Sequence, residues 1–151
     1  MKTLTVGSTA PDFELPDQHG TPTKLKELLE DGPLVLFFYP AAMTGGCTKE
    51  SCHFRDLKGE FETAGARRVG ISTDPVAKQL EFAEQNNLDY TLLSDESGEV
   101  AVAYGVRRKY ITPVKRATFV VGTDQVVKGV VTSETNMDIH ADTALETVSA
   151  M

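Results

Sequence analysis

The stretch at residues 33–40, "PLVLFFYP", is apolar throughout and rich in residues that favour β-strands. It lacks the alternation of apolar and polar residues that marks a strand with one face in water. Both faces of such a strand must be covered, which requires helices on both sides of the sheet. The stretch therefore predicts the central strand of an α/β domain.

A second buried strand and a helix follow further along the chain. The strand is "RRVGIST" at residues 67–73. Asp74 is a favourable N-cap residue and Pro75 a favourable first residue for the helix after it. The helix is expected to bury an apolar stripe at positions i, i+4 and i+7, formed by Val76, Leu80 and Ala83.

The C-terminal part predicts an antiparallel hairpin and a final helix. "RATFVVG" at residues 116–122 and "QVVKGVVT" at residues 125–132 are joined by a tight turn. Near the N-terminus, an extended pair turns at residues 17–20 and leads into one or two helical turns. The resulting order of elements predicts a central mixed β-sheet with helices on both faces.

Composition limits the class of protein and its partners. The chain has 151 residues, of which 40% are hydrophobic and 25% charged, so residues 1–151 are expected to form one globular domain. The formal net charge of −7 argues against nucleic acid or an anionic membrane as a partner. The N-terminus has no apolar core of a signal peptide, and no run is long enough to span a bilayer. A cytoplasmic location is predicted.

Both cysteines of the chain, Cys47 and Cys52, lie in one segment after the central strand. In a reducing compartment, two close thiols are more often redox-active or metal-binding than structural. Cys47 falls in the first turn of a predicted helix that carries Phe54, Leu57 and Phe61 on one side. The positive end of a helix dipole favours a thiolate, which is the form that attacks electrophiles. Cys47 is the candidate nucleophile, and a small buried hydrophobe is the alternative.

Cys52 follows Cys47 by five positions. On an ideal helix, this separation places the two Cα atoms about 8.7 Å apart, whereas disulfides rarely form beyond about 7 Å. If the two sulfurs bond, the first helical turns must unwind. Gly45, Gly46 and Gly59 would make unwinding easier, because glycine stabilises a helix poorly. A helix-face thiol without a role is the alternative for Cys52.

A metal site is the other chemical interpretation of a close cysteine pair. Structural zinc takes four ligands, usually with two to four residues between paired cysteines. Only His19, His53 and His140 remain as soft ligands, and their positions show no paired spacing. We therefore predict no metal, and we expect the three histidines to face solvent or to cap helices.

The spacing P-x-x-x-T-x-x-C of Pro40, Thr44 and Cys47 resembles the active-site signature of the peroxiredoxins. The continuation "CTKESCHFRD" is similar to the bacterioferritin comigratory protein, or Q-type, subgroup. "GSTAPDFELPDQHG" at residues 7–20 resembles the first hairpin of that family, and "RATFVVG" its late strand with a catalytic arginine, here Arg116. The resemblance covers nearly the whole chain, from about Val6 to the final helix.

The resemblance implies a thioredoxin-like fold with an N-terminal hairpin extension, and a peroxidase without a metal or organic cofactor. Cys47 would attack the peroxide and become a sulfenic acid. Arg116 would stabilise the thiolate and the developing negative charge, and the Thr44 hydroxyl would bridge thiolate and peroxide. Pro40 would shape and dry the pocket, and backbone N–H groups near Gly46 and Cys47 would complete an anion cradle.

The resemblance also implies that Cys52 resolves the sulfenic acid as a disulfide with Cys47. Thioredoxin or a similar dithiol protein would then reduce this disulfide. A peroxide and this reductant are thus the expected partners, and a monomer is expected because the resolving cysteine lies in the same chain. Two alternatives stay open. A thioredoxin-fold peroxide sensor, whose oxidised helix signals to a partner, needs the same reactive thiol, and a metal-binding module would use the same cysteine pair.

The loop before Cys47 departs from the subgroup pattern. Many members have charged residues and a proline before the glycine, whereas this chain has "PAAMTGGC" with Gly45 in the proline position. We predict that the apolar residues Ala41, Ala42 and Met43 favour an apolar hydroperoxide over hydrogen peroxide. For Arg116, an exposed cross-strand position in the hairpin is the alternative to a catalytic role.

Overall fold

The computed structural model describes residues 2–108 and 112–151, which contain seven β-strands and six α-helices. The strands are β1 (Glu14–Pro16), β2 (Pro22–Lys24), β3 (Leu34–Phe38), β4 (Arg67–Ser72), β5 (Thr91–Ser94), β6 (Ala117–Val121) and β7 (Val127–Thr132). The helices are α1 (Leu25–Leu28), α2 (Gly45–Asp56), α3 (Lys58–Thr63), α4 (Val76–Gln85), α5 (Glu99–Ala103) and α6 (Asp138–Ser149). Within the described ranges, no helix combines the length and the apolar character that crossing a membrane requires.

The main sheet has five strands in the order β5-β4-β3-β6-β7. The β3–β4 and β4–β5 pairs are parallel, whereas the β3–β6 and β6–β7 pairs are antiparallel. β3 is the central strand, and all five of its residues are buried. The mixed sheet, its central strand and the C-terminal hairpin predicted from the sequence are confirmed.

Alternate residues of β3 pack into two separate hydrophobic clusters, one on each face of the sheet. Leu36 and Phe38 lie in a cluster with residues of α1 and α5. Val35 and Phe37 lie in a second cluster with residues of α2, α3, α4 and α6. The rings of Phe37 and Phe54 stack with their centroids 4.1 Å apart, which attaches α2 to the sheet. Helices therefore cover both faces, as the apolar stretch predicts.

The N-terminal extension is a two-stranded antiparallel sheet formed by β1 and β2. Gln18, in the turn between them, connects this hairpin to the edge of the main sheet. Its Nε2 donates to Tyr90 O at 3.1 Å, and its Oε1 accepts from Leu92 N at 3.0 Å. These bonds satisfy backbone groups on the β5 edge that would otherwise lack a strand partner.

The buried face of α4 differs from the predicted stripe. The structure buries Gln79 and Phe82 and leaves Val76 and Leu80 half-buried. The prediction is confirmed for Ala83, which is buried. It was wrong for the other two residues because Gln79 has partners inside the protein, including a backbone carbonyl of β5 to which its Nε2 donates at 2.8 Å. A pattern of apolar residues does not reveal a buried amide whose partners lie on other strands.

The predicted helix after Cys47 is divided at Leu57 into α2 and α3. Phe54 and Phe61 are both buried, and their rings stack with centroids 5.9 Å apart. The apolar side is thus continuous across the break. Gly59 follows the break, where its low helix propensity contributes to the interruption.

Gly70 is placed where the sheet has no room for a side chain. It pairs with Phe37 and Leu92 on the neighbouring strands. A Cβ at Gly70 would lie 2.8 Å from Leu92 Cδ2 and 3.0 Å from Phe37 Cζ. We expect Gly70→Ala to lower the free energy of unfolding by about 1–3 kcal/mol, because overfilling a packed core forces its neighbours to move. Urea unfolding measures this loss.

Gly59→Ala is the matched control for this prediction. A Cβ at Gly59 in α3 would meet no atom within 4 Å. Because alanine favours a helix over glycine, we expect Gly59→Ala to leave stability unchanged or to raise it by up to about 1 kcal/mol. Equal destabilisation by the two substitutions would contradict the packing argument.

Candidate active site

Cys47 is the third residue of α2, which begins after the loop that follows β3. Its side chain is fully buried in the second hydrophobic cluster. Thr44 is the N-cap residue of α2, but no side-chain hydrogen bond caps the helix there. The positive end of the helix dipole therefore lies beside the Cys47 thiol, as the sequence predicts.

Arg116 immediately precedes β6, and its guanidinium reaches α2. Phe38 at the end of β3 pairs with Ala117, so Arg116 lies at the carboxyl end of the central strand. Its Nη2 donates to Cys47 Sγ at 3.4 Å, and its Nη1 donates to Glu50 Oε1 at 2.7 Å. The side chain is buried rather than exposed on the hairpin. The structure thus brings together Arg116 and Cys47, and it adds Glu50.

Gly46 allows the guanidinium to come close to the first turn of α2. A Cβ at this position would lie 3.2 Å from Arg116 Nη2 and 3.5 Å from Met137 Sδ. A side chain here would push Arg116 away from the start of the helix. Gly46 is therefore packed against the arginine, and the sequence predicts a substrate-binding residue at this position.

Burial and ion pairing set the charges of the site. Burial by itself would lower the pKa of Arg116, but the neighbouring Glu50 and Cys47 raise it, so that the pKa lies above its ordinary value. Burial raises the pKa of Glu50, and the attraction of Arg116 offsets only part of this rise. The site therefore combines a permanent cation with a carboxyl group that holds its proton more tightly than usual.

His140 of α6 lies on the other side of Glu50. Its Nδ1 is 3.5 Å from Glu50 Oε2 and 2.8 Å from Thr118 Oγ1, and its Nε2 is 2.8 Å from Ser133 O. His140 is fully buried, and this burial lowers its pKa. The prediction that the histidines face solvent or cap helices is wrong for His140. Its partners lie on β6 and on the segment after β7, and no local sequence pattern indicates them.

Pro40 and Thr44 flank the loop between β3 and α2. Pro40 is buried at the start of the loop. The Thr44 side chain is exposed, and its hydroxyl donates to Ala41 O at 2.8 Å. The hydroxyl is thus bonded within its own loop rather than to Cys47, and its expected bridge between thiolate and peroxide stays a prediction.

Asp74 holds the same loop from the direction of β4. The sequence predicts it as the N-cap of α4, but the N-cap is the next residue, and Asp74 Oδ2 accepts from Ala42 N at 2.7 Å. The same oxygen accepts from Ser72 Oγ at 2.7 Å, and Ser72 Oγ accepts from Gln79 Nε2 at 3.0 Å. Gln79 Oε1 in turn accepts from Tyr39 Oη at 2.6 Å. This chain of hydrogen bonds fixes the loop, and the sequence analysis missed it.

Cys52 lies where α2 contacts the C-terminal end of α4. Its Sγ donates to Asn86 Oδ1 at 3.8 Å, and Asn86 Nδ2 donates to Phe82 O at 3.0 Å. Arg55 Nη1 donates to Asn86 O at 2.6 Å. Cys47 and Cys52 are both free thiols within α2. The structure therefore places the two cysteines on one helix without joining their sulfurs.

The metal-site interpretation has no support in the side chains of residues 2–108 and 112–151. Among these residues, no group of three or more histidine, cysteine, aspartate or glutamate side chains converges as metal ligands would. A structural zinc site requires four such ligands.

Comparisons with known proteins place this geometry in a family. Residues 6–130 match the model of the AhpC/TSA family. The chain is 39% identical over 149 residues to a chloroplastic peroxiredoxin Q of Sedum lineare, covering 98% of this chain and 80% of that protein.

Solved structures agree with the family match. Peroxidoxin BcpB from Mycobacterium tuberculosis is 60% identical, with a TM-score of 0.93 over 97% of each chain. Peroxiredoxin Q of Xanthomonas campestris is 29% identical, with a TM-score of 0.85 over 97% of this chain and 96% of that one. The predicted thioredoxin-like fold is therefore confirmed. Membership of the family implies a thiol-dependent peroxidase that uses a peroxide and a thiol reductant. The chain belongs to the AhpC/TSA family of peroxiredoxins, within its bacterioferritin comigratory protein, or Q-type, subgroup.

Proposed function

We propose that Cys47 is the peroxidatic cysteine of this peroxidase and that Arg116 is its catalytic arginine. The observation that carries the proposal is the 3.4 Å contact between Arg116 Nη2 and Cys47 Sγ in the first turn of α2. A nearby cation and the positive end of a helix both favour a thiolate, which is the attacking form of cysteine.

The proposed reaction begins when the Cys47 thiolate attacks the terminal oxygen of the peroxide. An S–O bond forms, the O–O bond breaks, and the leaving oxygen takes up a proton to become an alcohol or water. The sulfur is oxidised to a sulfenic acid. Arg116 and the backbone N–H groups near Gly46 and Cys47 stabilise the charge on the leaving oxygen. Thr44 orients the peroxide, and Pro40 keeps water from the pocket.

We assign the resolving role to Cys52, whose thiol attacks the sulfenic sulfur and releases water as the disulfide forms. The two Cα atoms of an ideal helix would be about 8.7 Å apart at this spacing, beyond the roughly 7 Å limit of a disulfide. The first turns of α2 must therefore unwind, and the bond between Cys52 and Asn86 must open. The uncapped start of the helix and its two glycines, Gly45 and Gly46, make this opening less costly.

A dithiol protein such as thioredoxin is the proposed reductant, because it can attack an exposed disulfide and leave Cys47 and Cys52 reduced. We also propose a monomer, since both sulfurs come from one chain and the scheme needs no group from a partner subunit. A cytoplasmic location suits a cycle that depends on a reduced thiol pool.

Intact-protein mass spectrometry with thiol counting tests the proposed cycle. The reduced protein receives one equivalent of peroxide and then reduced thioredoxin. Loss of two hydrogens and of both thiols, reversed by thioredoxin, is the expected result. Oxygen added to Cys47 while Cys52 stays free would overturn the role of Cys52. Oxidation without sustained turnover by thioredoxin would favour the sensor instead.

Cys52→Ser separates attack from resolution. We expect this variant to reduce one equivalent of peroxide at the rate of the natural protein and then, under excess peroxide, to proceed to the sulfinic acid because nothing traps the sulfenic acid. Mass spectrometry of the Cys47 peptide follows the added oxygens. Cys47→Ser is the matched control and should react with no peroxide. A stable sulfenic acid in Cys52→Ser would mean that another group protects it.

Arg116→Lys tests the two hydrogen bonds from the guanidinium to Cys47 and Glu50. A lysine ammonium cannot reach the sulfur and Glu50 with the two parallel donors of a guanidinium. We expect the rate of sulfenic acid formation to fall about 10²- to 10³-fold, the range for loss of one charge-stabilising donor. Stopped-flow kinetics with peroxide measures the rate. Arg67→Lys, a partly exposed arginine paired with Asp31, should retain the natural rate.

Two methionines near the start of α2 support a preference for apolar hydroperoxides. Met43 and Met137 are both half-buried near the start of α2, and Met137 Sδ would lie 3.5 Å from a Cβ at Gly46. A related bacterioferritin comigratory protein of Xanthomonas campestris is described by its alkyl peroxide reduction activity. We expect tert-butyl hydroperoxide to react about tenfold faster than hydrogen peroxide, as apolar contacts allow. Equal or faster reaction with hydrogen peroxide would refute this preference.

A further inference from the structure

Glu50 carries a buried oxygen without a hydrogen-bond partner. Its Oε1 accepts from Arg116, but its Oε2 has no hydrogen bond to any residue that the structure describes. Glu50 is fully buried, so bulk water does not replace the missing bond. Leaving a buried carboxyl oxygen unpaired costs free energy. His140 Nδ1 lies 3.5 Å from this oxygen.

The hydrogen bonds of His140 determine which ring nitrogen carries a proton. Ser133 O is a carbonyl and only accepts, so the imidazole Nε2 must donate to it. In the neutral ring, Nδ1 then has a lone pair, which accepts from the Thr118 hydroxyl. If Nδ1 gains a proton, the same hydroxyl can rotate and accept from it. The surroundings thus satisfy both protonation states without movement of the backbone.

Glu50 Oε2 and His140 Nδ1, each of which can bind a proton, therefore lie 3.5 Å apart inside the protein. We propose that Glu50 and His140 jointly bind one proton while Cys47 is a thiolate, and that the two act as positioning residues for the charge of Arg116. The inference rests on the proposed function in one respect, since it takes Cys47 as the residue that ionises.

The charges of the buried cluster support this assignment. A Cys47 thiolate and a Glu50 carboxylate together carry one negative charge more than the single cation, Arg116, can neutralise. One proton shared by Glu50 and His140 removes the excess. Burying a net charge is far more costly than burying a neutral group of the same size.

Other charged and titratable groups also face the pair. Glu134, beyond β7, accepts from Arg116 N at 3.0 Å, and its charge favours a proton on both Glu50 and His140. Tyr90, immediately before β5, interacts electrostatically with Glu50 but donates its own hydroxyl to Ser51 O. The positive charge of Arg116 disfavours a proton on either Glu50 or His140. Burial raises the pKa of Glu50 and lowers that of His140, so the proton lies mainly on the carboxyl.

The proton has a consequence for the reaction. While Glu50 is neutral, its Oε1 accepts from Arg116 as an uncharged oxygen, and the positive charge acts mainly on Cys47. When the pair loses its proton, a carboxylate competes with the sulfur for the same guanidinium. The negative charge on Cys47 and a negative charge on the pair therefore disfavour each other.

Nuclear magnetic resonance of the pair tests this coupling without peroxide. The chain has three histidines, so the imidazole spectrum is simple. The titration of His140 and of the Glu50 carboxyl carbon is compared in Cys52→Ser and in the double variant Cys47→Ser, Cys52→Ser. We expect both signals to titrate together, with a midpoint about one pH unit or more lower in the double variant, as like charges within about 8 Å predict. Identical midpoints in the two proteins would overturn the proposal.

Internal controls verify the assignment of the His140 and Glu50 signals. His19 is exposed and His53 pairs with Asp142 at 2.7 Å, so the imidazole signals of these two residues should be the same in the two proteins. Glu134→Gln should lower the midpoint of the pair in both backgrounds and preserve the difference between them. Glu50→Gln identifies the Glu50 carbon by its missing signal; if this variant does not fold, His140 alone carries the test. A Glu50 signal that titrates without any response from His140 would also overturn the shared site.

A kinetic experiment tests whether the shared proton changes the rate of reaction with peroxide. At alkaline pH, the rate of sulfenic acid formation should decline as the pair loses its proton, and Glu50→Gln, which cannot ionise, should lack this decline. A decline that persists in a folded Glu50→Gln variant would contradict the coupling. The proposed function fails separately: if the natural protein does not react with peroxide at any pH, the spectroscopic comparison still decides whether Cys47 and the pair are coupled.

Discussion

The guanidinium of Arg116 is the interaction on which the rest of the active site depends. It is one buried cation with two partners on α2, Cys47 Sγ and Glu50 Oε1. Because a buried charge is stable only when it is paired and hydrogen-bonded, the Cys47 sulfur and the Glu50 carboxyl group together permit an arginine at this depth. The same requirement accounts for Gly46, where a side chain would crowd the guanidinium. It also accounts for β6 beside the central strand, since that pairing brings Arg116 to the start of α2.

Helix α2 meets two demands that conflict in the proposed cycle. When folded, it presents Cys47 to Arg116 and holds Cys52 against Asn86. Disulfide formation requires the same turns to open. The two ends of α2 differ in a way that suits both demands: the N-terminal end lacks a side-chain cap, whereas Phe54 near the other end is stacked on Phe37. If the N-terminal turns open, the C-terminal turns stay packed on the sheet, so the helix can refold from the turns that remain.

Much of the fold could be predicted from the sequence because its signals are local. The apolar run of β3 and the hairpin of β6 and β7 depend on neighbouring residues, and Arg116 was placed by its position in a family pattern. Asp74 and His140 were misjudged for a common reason. The partners of Asp74 are Ala42 N and Ser72 Oγ, and those of His140 lie on β6 and beyond β7. A polar residue gives no sign in its own segment that distant elements will bury and satisfy it.

These two misjudged residues support the active site from opposite sides. Asp74 ties the loop before α2 to β4, whereas the hydrogen bonds of His140 join α6 to β6 behind Arg116. Asp74 and His140 are each held by two or more hydrogen bonds. The first turn of α2, in contrast, has no side-chain cap and contains two glycines. A buried polar network resists local rearrangement because breaking one bond leaves other groups unpaired. In the proposed cycle, opening is therefore expected at the first turn of α2, so that Arg116 keeps its position while Cys47 moves, and the oxidised helix can return to the same cation after reduction.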